Sequence, residues 1–309
     1  MSEAAPPARV ALLLKSYLGD AVMAEPVARA ARGAGFLGVR ASGAAREILH
    51  HLRFDATLPL TRAHTLRALR ADVRALRAWR ADAAIVVDRA FRAALLARLA
   101  RIPVRVGHHR DWRGGLLTRA LPYDEARYEA ACYADLAREV GISVADDRPR
   151  LQAPASPHLP GSASIPSGAF GFQPGARYDA KRIPFETARG LIADLERRGT
   201  PIVLFGGPEE RELCERLATP SCTLLAGSCS IAQTLSALAS VKAFVSADTG
   251  LAHLAFGVRT PSLVVFGPTP ATKWTHGDPQ SVFQVPGSDL SGLTADDLLA
   301  ACSRSFSDF

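Results

Sequence analysis

The stretch Val245-Ser246-Ala247-Asp248-Thr249-Gly250-Leu251-Ala252-His253, followed by Pro261-Ser262-Leu263-Val264-Val265-Phe266-Gly267-Pro268-Thr269, decides the fold. Two β-rich apolar runs bracket a short helical pattern, and turn residues punctuate both ends, which spells strand, helix and second parallel strand. The strands are expected over residues 241–246 and 262–266, with the helix over 251–256. Asp248 or Thr249 is placed to cap the helix, so the N–H groups near Thr249 and Gly250 form an anion site beyond the first strand's carboxyl end. His253, in the first turn, either adds a donor to that site or packs as a core histidine. A carboxylate beside phosphates repels them unless it orients amides or a hydroxyl, so Asp248 is read as structural or orienting.

Working outward, the same alternation fills the chain. Upstream in this half come strands at 169–173, 202–205 and 223–226 and helices at 185–198, 209–218 and 231–240. An earlier series opens with a strand at 10–14 and a helix at 21–32 carrying Pro26 in its first turns. It continues with strands at 37–41, 57–60 and 84–87 and helices at 44–51, 65–79, 91–101 and 125–140. Between the two series Pro154, Pro157, Pro160, Gly161 and Pro166 lie among serines and alanines, which holds neither regular element. The expectation is an N-terminal domain over 1–152, a linker over 153–167 and a C-terminal domain over 168–309, each doubly wound α/β. Ligands in such sheets bind beyond the strands' carboxyl ends, so the site is expected in a cleft between the halves.

At 309 residues the chain is long enough for two domains with their own cores. Its 48% hydrophobic and 22% charged residues place it among globular proteins. No apolar run approaches the ~20 residues that span a bilayer, and residues 1–9 are too short and Pro-rich for a signal peptide, so a cytoplasmic protein is expected. Five cysteines without a Cys-x-x-Cys pair read as reduced thiols and offer no zinc cage. The formal charge of +7 suits an anionic ligand, an anionic membrane surface or nucleic acid. No aromatic-studded basic motif accompanies it, so nucleic acid is not an expected partner. Within 65–79, Leu66, Leu69, Val73 and Leu76 form one helical stripe and Arg67, Arg70, Arg74 and Arg77 an adjoining one. That basic face either meets acidic headgroups, lines an acceptor site or is simply solvated.

Four further segments carry candidate chemistry. Gly33-Ala34-Gly35-Phe36-Leu37-Gly38 matches G-x-G-x-x-G, but it follows a helix and precedes a strand, the reverse of a dinucleotide fingerprint, and reads as a helix C-cap. In the loop 173–184, Gly175 and Ala176 permit close backbone approach and Lys181 offers a point charge to a diphosphate. In Phe205-Gly206-Gly207-Pro208-Glu209-Glu210 a carboxylate either accepts ribose hydroxyl bonds or caps the following helix. Lys15-Ser16-Tyr17-Leu18-Gly19-Asp20 leaves the first strand, so Asp20 is either an N-cap or a general base at the sheet's carboxyl edge. There is no D-x-D pair, P-loop, H-E-x-x-H or G-x-S-x-G elbow, so no bound metal is implied.

Together these pieces resemble glycosyltransferase family 9, whose best-known members are the heptosyltransferases of lipopolysaccharide core assembly. The matching text is Lys15-Ser16 with Leu18-Gly19-Asp20 and Pro26, the Gly175 loop with Lys181 and Pro184, Gly206-Gly207-Pro208-Glu209, and 245–253 with 266–269. The resemblance runs in the same order through nearly the whole chain. It implies a GT-B fold of two Rossmann-like domains, the second binding the donor nucleotide and the first the acceptor. By matching position, Asp20 looks like the catalytic base and Lys181 like the phosphate-binding lysine. Thr249, Gly250 and His253 look like the diphosphate-binding turn, Glu209 or Glu210 would hold the ribose, and Gly175, Ala176 and Asp248 join them on the donor side. Many members carry Trp-Pro after the lysine, where this chain has Ile183-Pro184.

The implied reaction is a metal-independent inverting transfer of a heptose from an ADP-sugar, a co-substrate, with no further cofactor. Lys15, Ser16, Arg110 and Arg113 fall on the acceptor side, where basic groups suit an anionic glycan or glycolipid. A peripheral contact with the cytoplasmic face of the inner membrane is compatible with such an acceptor. Acceptor identity does not carry over, because the first-domain loops match poorly. The alternatives are a family 9-like transferase of another nucleotide sugar, a non-catalytic nucleotide-sugar-binding protein, or an epimerase of the same architecture.

Overall fold

The computed structural model describes residues 7–33, 35–60, 65–154, 158–275, 281–287 and 289–307. The readings of residues 1–9 and of the linker at 153–167 fall partly outside that set. The chain divides into two compact units, Met1–Leu151 and Gln152–Phe309.

The first unit runs β1 (Arg9–Leu13), α1 (Leu18–Met23), α2 (Glu25–Gly33), β2 (Phe36–Ala41), α3 (Gly43–Ile48) and β3 (Ala56–Pro59). It continues with α4 (Leu66–Ala78), β4 (Ala83–Val86), α5 (Phe91–Leu99), β5 (Val104–His108), β6 (Arg119–Leu121) and α6 (Glu129–Arg138). Its strands pair in parallel in the order β3-β2-β1-β4-β5-β6. The central strands show why: β4 reads Ala-Ala-Ile-Val and is buried at every position, as a strand covered on both faces must be. Leu13, Leu76, Trp79, Val86 and Leu96 make the core on one face.

The second unit contains β7 (Phe170–Gln173), α7 (Phe185–Arg197), β8 (Ile202–Leu204), α8 (Arg211–Leu217), β9 (Cys222–Leu224) and α9 (Ile231–Ser240). Then come β10 (Ala243–Ala247), α10 (Gly250–Gly257), β11 (Ser262–Phe266), β12 (Val282–Gln284) and α11 (Ala295–Ser305). The sheet, again all parallel, is ordered β12-β11-β10-β7-β8-β9. Counted within its own unit, that is the same order as the first sheet read from the other edge. In both sheets the direction of winding reverses between the first and fourth strands, β1/β4 and β7/β10, and loops leaving such a pair diverge and leave room for a ligand.

The structure departs from the sequence expectations in two respects. The helix expected over 21–32 is two helices, and it starts three residues earlier, at Leu18. Pro26 has no N–H to give the Val22 carbonyl, so the helical ladder is interrupted there, and α1 ends with the Ala24 N–H on the Asp20 carbonyl at 3.0 Å. The edge strands β6 and β12 and the terminal α11 had no counterpart in the pattern. All five cysteines are free, and burial pushes the Cys214 and Cys302 thiols up to about 12.

Candidate active site

In the first unit the chain leaves β1 through Lys15 and enters α1, whose third residue is Asp20. The N-cap position belongs to Tyr17, so Asp20 is not the cap that its spacing allowed. Its carboxylate is 7% exposed and held from two sides. Lys15 Nζ donates to Asp20 Oδ1 at 2.7 Å, and the Tyr133 hydroxyl approaches the same oxygen at 2.9 Å. Lys15 Nζ also reaches Glu129 Oε1 at 3.0 Å and Tyr133 Oη at 2.8 Å, which uses all three ammonium protons. Glu129 and Tyr133 lie four residues apart on α6, so they share a face and meet at 2.5 Å. Tyr133 therefore has one proton to divide between two carboxylates.

The charges in this cluster are consistent with that arrangement. Burial opposes ionisation of Glu129, but the Lys15 ammonium and the hydrogen bonds from Tyr123, Tyr133 and Lys15 outweigh it and hold the carboxyl below its ordinary range. Burial, and then the Asp20 and Glu129 charges, push the Tyr133 phenol well above its usual value, so it remains a donor. Lys15, expected on the acceptor side, spends its bonds here on Asp20 and its neighbours, whereas Ser16 is exposed. Sequence reasoning missed Glu129 and Tyr133. The available signal was a pair of polar residues at helical spacing on an otherwise apolar face of α6.

Beyond the other strand ends of this sheet lies a second group of polar side chains. Asp88 follows β4 and lies 3.9 Å from Arg40, the penultimate residue of β2. Arg113 is 1% exposed, and its Nη1 donates to the Asp88 carbonyl at 2.7 Å, so it braces the loop after β4 instead of projecting from the surface. Burial lowers its guanidinium to about 10, against the pull of Asp88. Arg110, in contrast, is exposed. His108 ends β5; burial pushes it down to about 4, opposed by Glu129 and aided by Arg89, Lys15 and Arg113.

In the second unit, two bonds tie together the loops that leave β7 and β10. Lys181 Nζ meets Asp248 Oδ2 at 2.5 Å, and Thr249 Oγ1 donates to Gln173 Oε1 at 2.6 Å. Both span the point where the sheet reverses its winding, and they answer the question posed by Asp248: its carboxylate holds the lysine. Thr249 is the N-cap residue of α10, but its hydroxyl is turned toward Gln173 and makes no cap bond to the first turn. Gly250 opens the helix, and its amides point along the positive end of the helix dipole. His253 is buried with its ring 5.4 Å from Trp274, as a packed histidine.

The loop bearing Lys181 is shaped by its own bonds. Ile183 N–H donates to the Pro174 carbonyl at 3.0 Å and Arg182 Nε to the Ala176 carbonyl at 2.8 Å. Ala176 and Ile183 both turn into the core, which fixes the loop from beneath. Gly175 has no space above it: a Cβ there would lie 2.4 Å from Glu210 Cγ. Glu210 in turn accepts from Gly207 N–H at 2.5 Å, the capping role, whereas Glu209 is exposed. Beside the loop opens a pocket of about 640 Å3 lined by Ala180, Ile183, Phe185, Glu209, Glu210 and Asp289. Among the described residues no group of three or more His, Cys, Asp or Glu side chains is arranged to hold a metal ion.

The model of glycosyltransferase family 9 (heptosyltransferase) matches residues 69–285. The chain is 27% identical over 289 residues to lipopolysaccharide heptosyltransferase 2 of Salmonella typhimurium, covering 84% of this chain and 83% of that one. Among solved structures, E. coli ADP-heptose lipopolysaccharide heptosyltransferase II superposes with a TM-score of 0.78 at 25% identity, over 96% of this chain and 97% of that one. The E. coli heptosyltransferase WaaC with ADP gives 0.74 at 25% identity, over 96% and 97%. The two six-stranded parallel sheets with flanking helices are those of the GT-B fold.

Proposed function

The chain belongs to glycosyltransferase family 9 and is a glycosyltransferase, and from that premise we propose that it moves a heptose from ADP-heptose to a hydroxyl of a lipopolysaccharide-core acceptor. The observation that carries the reading is the Asp20 carboxylate, fixed at the carboxyl edge of the first sheet by Lys15 and Tyr133. A carboxylate immobilised by two donors keeps its second oxygen for a proton, which is the geometry a general base requires.

In this mechanism Asp20 takes the proton from the acceptor hydroxyl as its oxygen bonds to the anomeric carbon. The bond from that carbon to the β-phosphate oxygen breaks, ADP leaves from the opposite face, and the configuration inverts. Lys181 and the amides opening α10 stabilise the charge that grows on the diphosphate, a role that metal-independent transfer assigns to protein groups. Asp248 keeps Lys181 extended until the phosphates compete for it. Gly175 and Ala176 shape the loop that delivers the lysine, and Glu209 is the exposed carboxylate available to a ribose. Arg110, exposed just after β5, is the cation assigned to an anionic acceptor.

The test is ADP release from ADP-heptose in the presence of a heptose-deficient core acceptor. Turnover with this donor, and much slower turnover with ADP-glucose and UDP-sugars, supports the reading. Inertness with ADP-heptose together with turnover of another nucleotide sugar would overturn the donor assignment while leaving the transferase fold and family untouched.

A further inference from the structure

One motif of the first unit takes no part in this chemistry. Along α4 the apolar stripe is wider than the core it serves: Leu76 is fully buried and Leu69 and Val73 are half-buried, but Leu66 stays 72% exposed. Leu99, at the end of α5, is 40% exposed and lines the same groove of about 470 Å3 as Leu66, Leu69 and Val73. The groove's polar lip consists of Arg70, Arg74 and Arg77. Arg67 extends the lip by one turn, and Arg98 and Arg101 are exposed at the end of α5. The α4 helix itself brings no acid to this face: its single carboxylate, Asp72, is 3% exposed and bonded to Arg92 at 2.9 Å.

Among the described residues, Arg77 alone of these arginines has a partner that fixes it, the Leu99 carbonyl at 2.8 Å. The result is a short amphipathic surface with leucines in the middle and unneutralised guanidiniums along one side. Water solvates the arginines at no cost but not the leucines, so a merely solvated face accounts for half of the pattern. A surface that presents anionic oxygens and, just beneath them, hydrocarbon accounts for both halves.

We propose that the α4 face, with Leu66 and Leu99 as its apolar contacts and Arg67, Arg70 and Arg74 as its charges, docks this protein on a bilayer of anionic phospholipids. Charge complementarity selects this occupant. A neutral apolar partner leaves the arginines desolvated, and an acidic protein or nucleic acid leaves the leucines without hydrocarbon. The docking stands whichever sugar is transferred, because none of these residues belongs to the Asp20 or Lys181 clusters.

The experiment is co-sedimentation of the full chain with phosphatidylcholine vesicles, with and without phosphatidylglycerol, at low and high salt. The wild type should bind only the anionic vesicles and release with salt. The triple variant Leu66→Ser, Arg70→Ser, Arg74→Ser should bind about 20-fold more weakly while keeping its melting temperature and its turnover of a water-soluble acceptor fragment. A charge-matched control, Arg189→Ser with Arg304→Ser in the second unit, should bind as the wild type does. Equal loss in variant and control would reduce the effect to net charge and overturn the proposal. So would wild-type binding by the triple variant, no binding by the wild type, or a concentration-dependent dimer that Leu66→Ser abolishes.

Discussion

The two sheets share one strand order, yet the loops at their equivalent reversal points hold opposite kinds of group. At β1 the first unit presents a carboxylate gripped by an ammonium and a phenol, themselves gripped by a second carboxylate. At β7 and β10 the second unit presents an ammonium held by one carboxylate, beside the open start of a helix. A group with several partners is fixed in position, and a group with one can be taken over by a competing charge. Identical topology thus carries a rigid anionic centre in one unit and an exchangeable cationic one in the other, which shows how little of the chemistry is specified by the fold alone.

The comparison breaks most sharply at Asp20. Asp20→Asn should lower kcat by about 10²–10⁴-fold with donor affinity unchanged, measured by ADP release and by calorimetric titration of ADP-heptose. Turnover within a few-fold of wild type would remove Asp20 from the reaction. At the cationic centre, Lys181→Ala should lower kcat by about 10²-fold and weaken ADP binding as well, since in the proposed mechanism the lysine acts on the diphosphate before and during its departure. If ADP affinity stays at the wild-type value, Lys181 serves Asp248 and not the donor.

Acid should weaken the first unit at its polar centre. His108, held down to about 4 from an ordinary 6.5, stays neutral in the fold while the unfolded chain takes up a proton. The unfolded state therefore binds more protons between those values, and stability present above pH 6.5 is lost as pH falls toward 4, on the order of 3 kcal/mol at most. Glu129, with its carboxyl held low, adds a further loss at more acid pH, as the folded-state group protonates. Melting temperature against pH for the wild type and His108→Asn tests this: the variant's curve should be flatter over that interval, and parallel curves would refute the assignment. The smallest effect expected is positional. Glu129→Leu should lower kcat about tenfold with the donor KM unmoved, and Glu129→Gln, which keeps an acceptor for Lys15 and Tyr133, should recover most of the loss. A change in KM alone, or no recovery by glutamine, would point to a general structural defect.

The α/β class was readable in the sequence because buried parallel strands are apolar at nearly every position, as in β4 and β10. The edge strands β6 and β12 were not, since each is three residues long and lacks that fully buried run. Of the anionic centre, Asp20 was visible, but its grip was not: Glu129 and Tyr133 lie 114 and 118 residues from Lys15, and no local pattern records such a meeting. The local rule misjudged Thr249 for a similar reason. A hydroxyl at an N-cap ordinarily serves its own helix, but here Gln173, from the neighbouring strand, takes it. Arg113 looked like a ligand for acidic groups by composition, and only its burial beneath the β4 loop revealed a brace.

Gly175 links two loops that are far apart along the chain. Its missing side chain is the space occupied by Glu210, and Glu210 is the latch on Gly207, so the lysine loop and the turn after β8 fit together as a tongue in a slot. Neither can be remodelled by itself. If the two loops hold the sugar nucleotide as proposed, an engineer seeking to alter which one is accepted would have to transplant residues 173–184 and 205–211 as a matched set, because either segment swapped singly meets a counterpart cut for another shape.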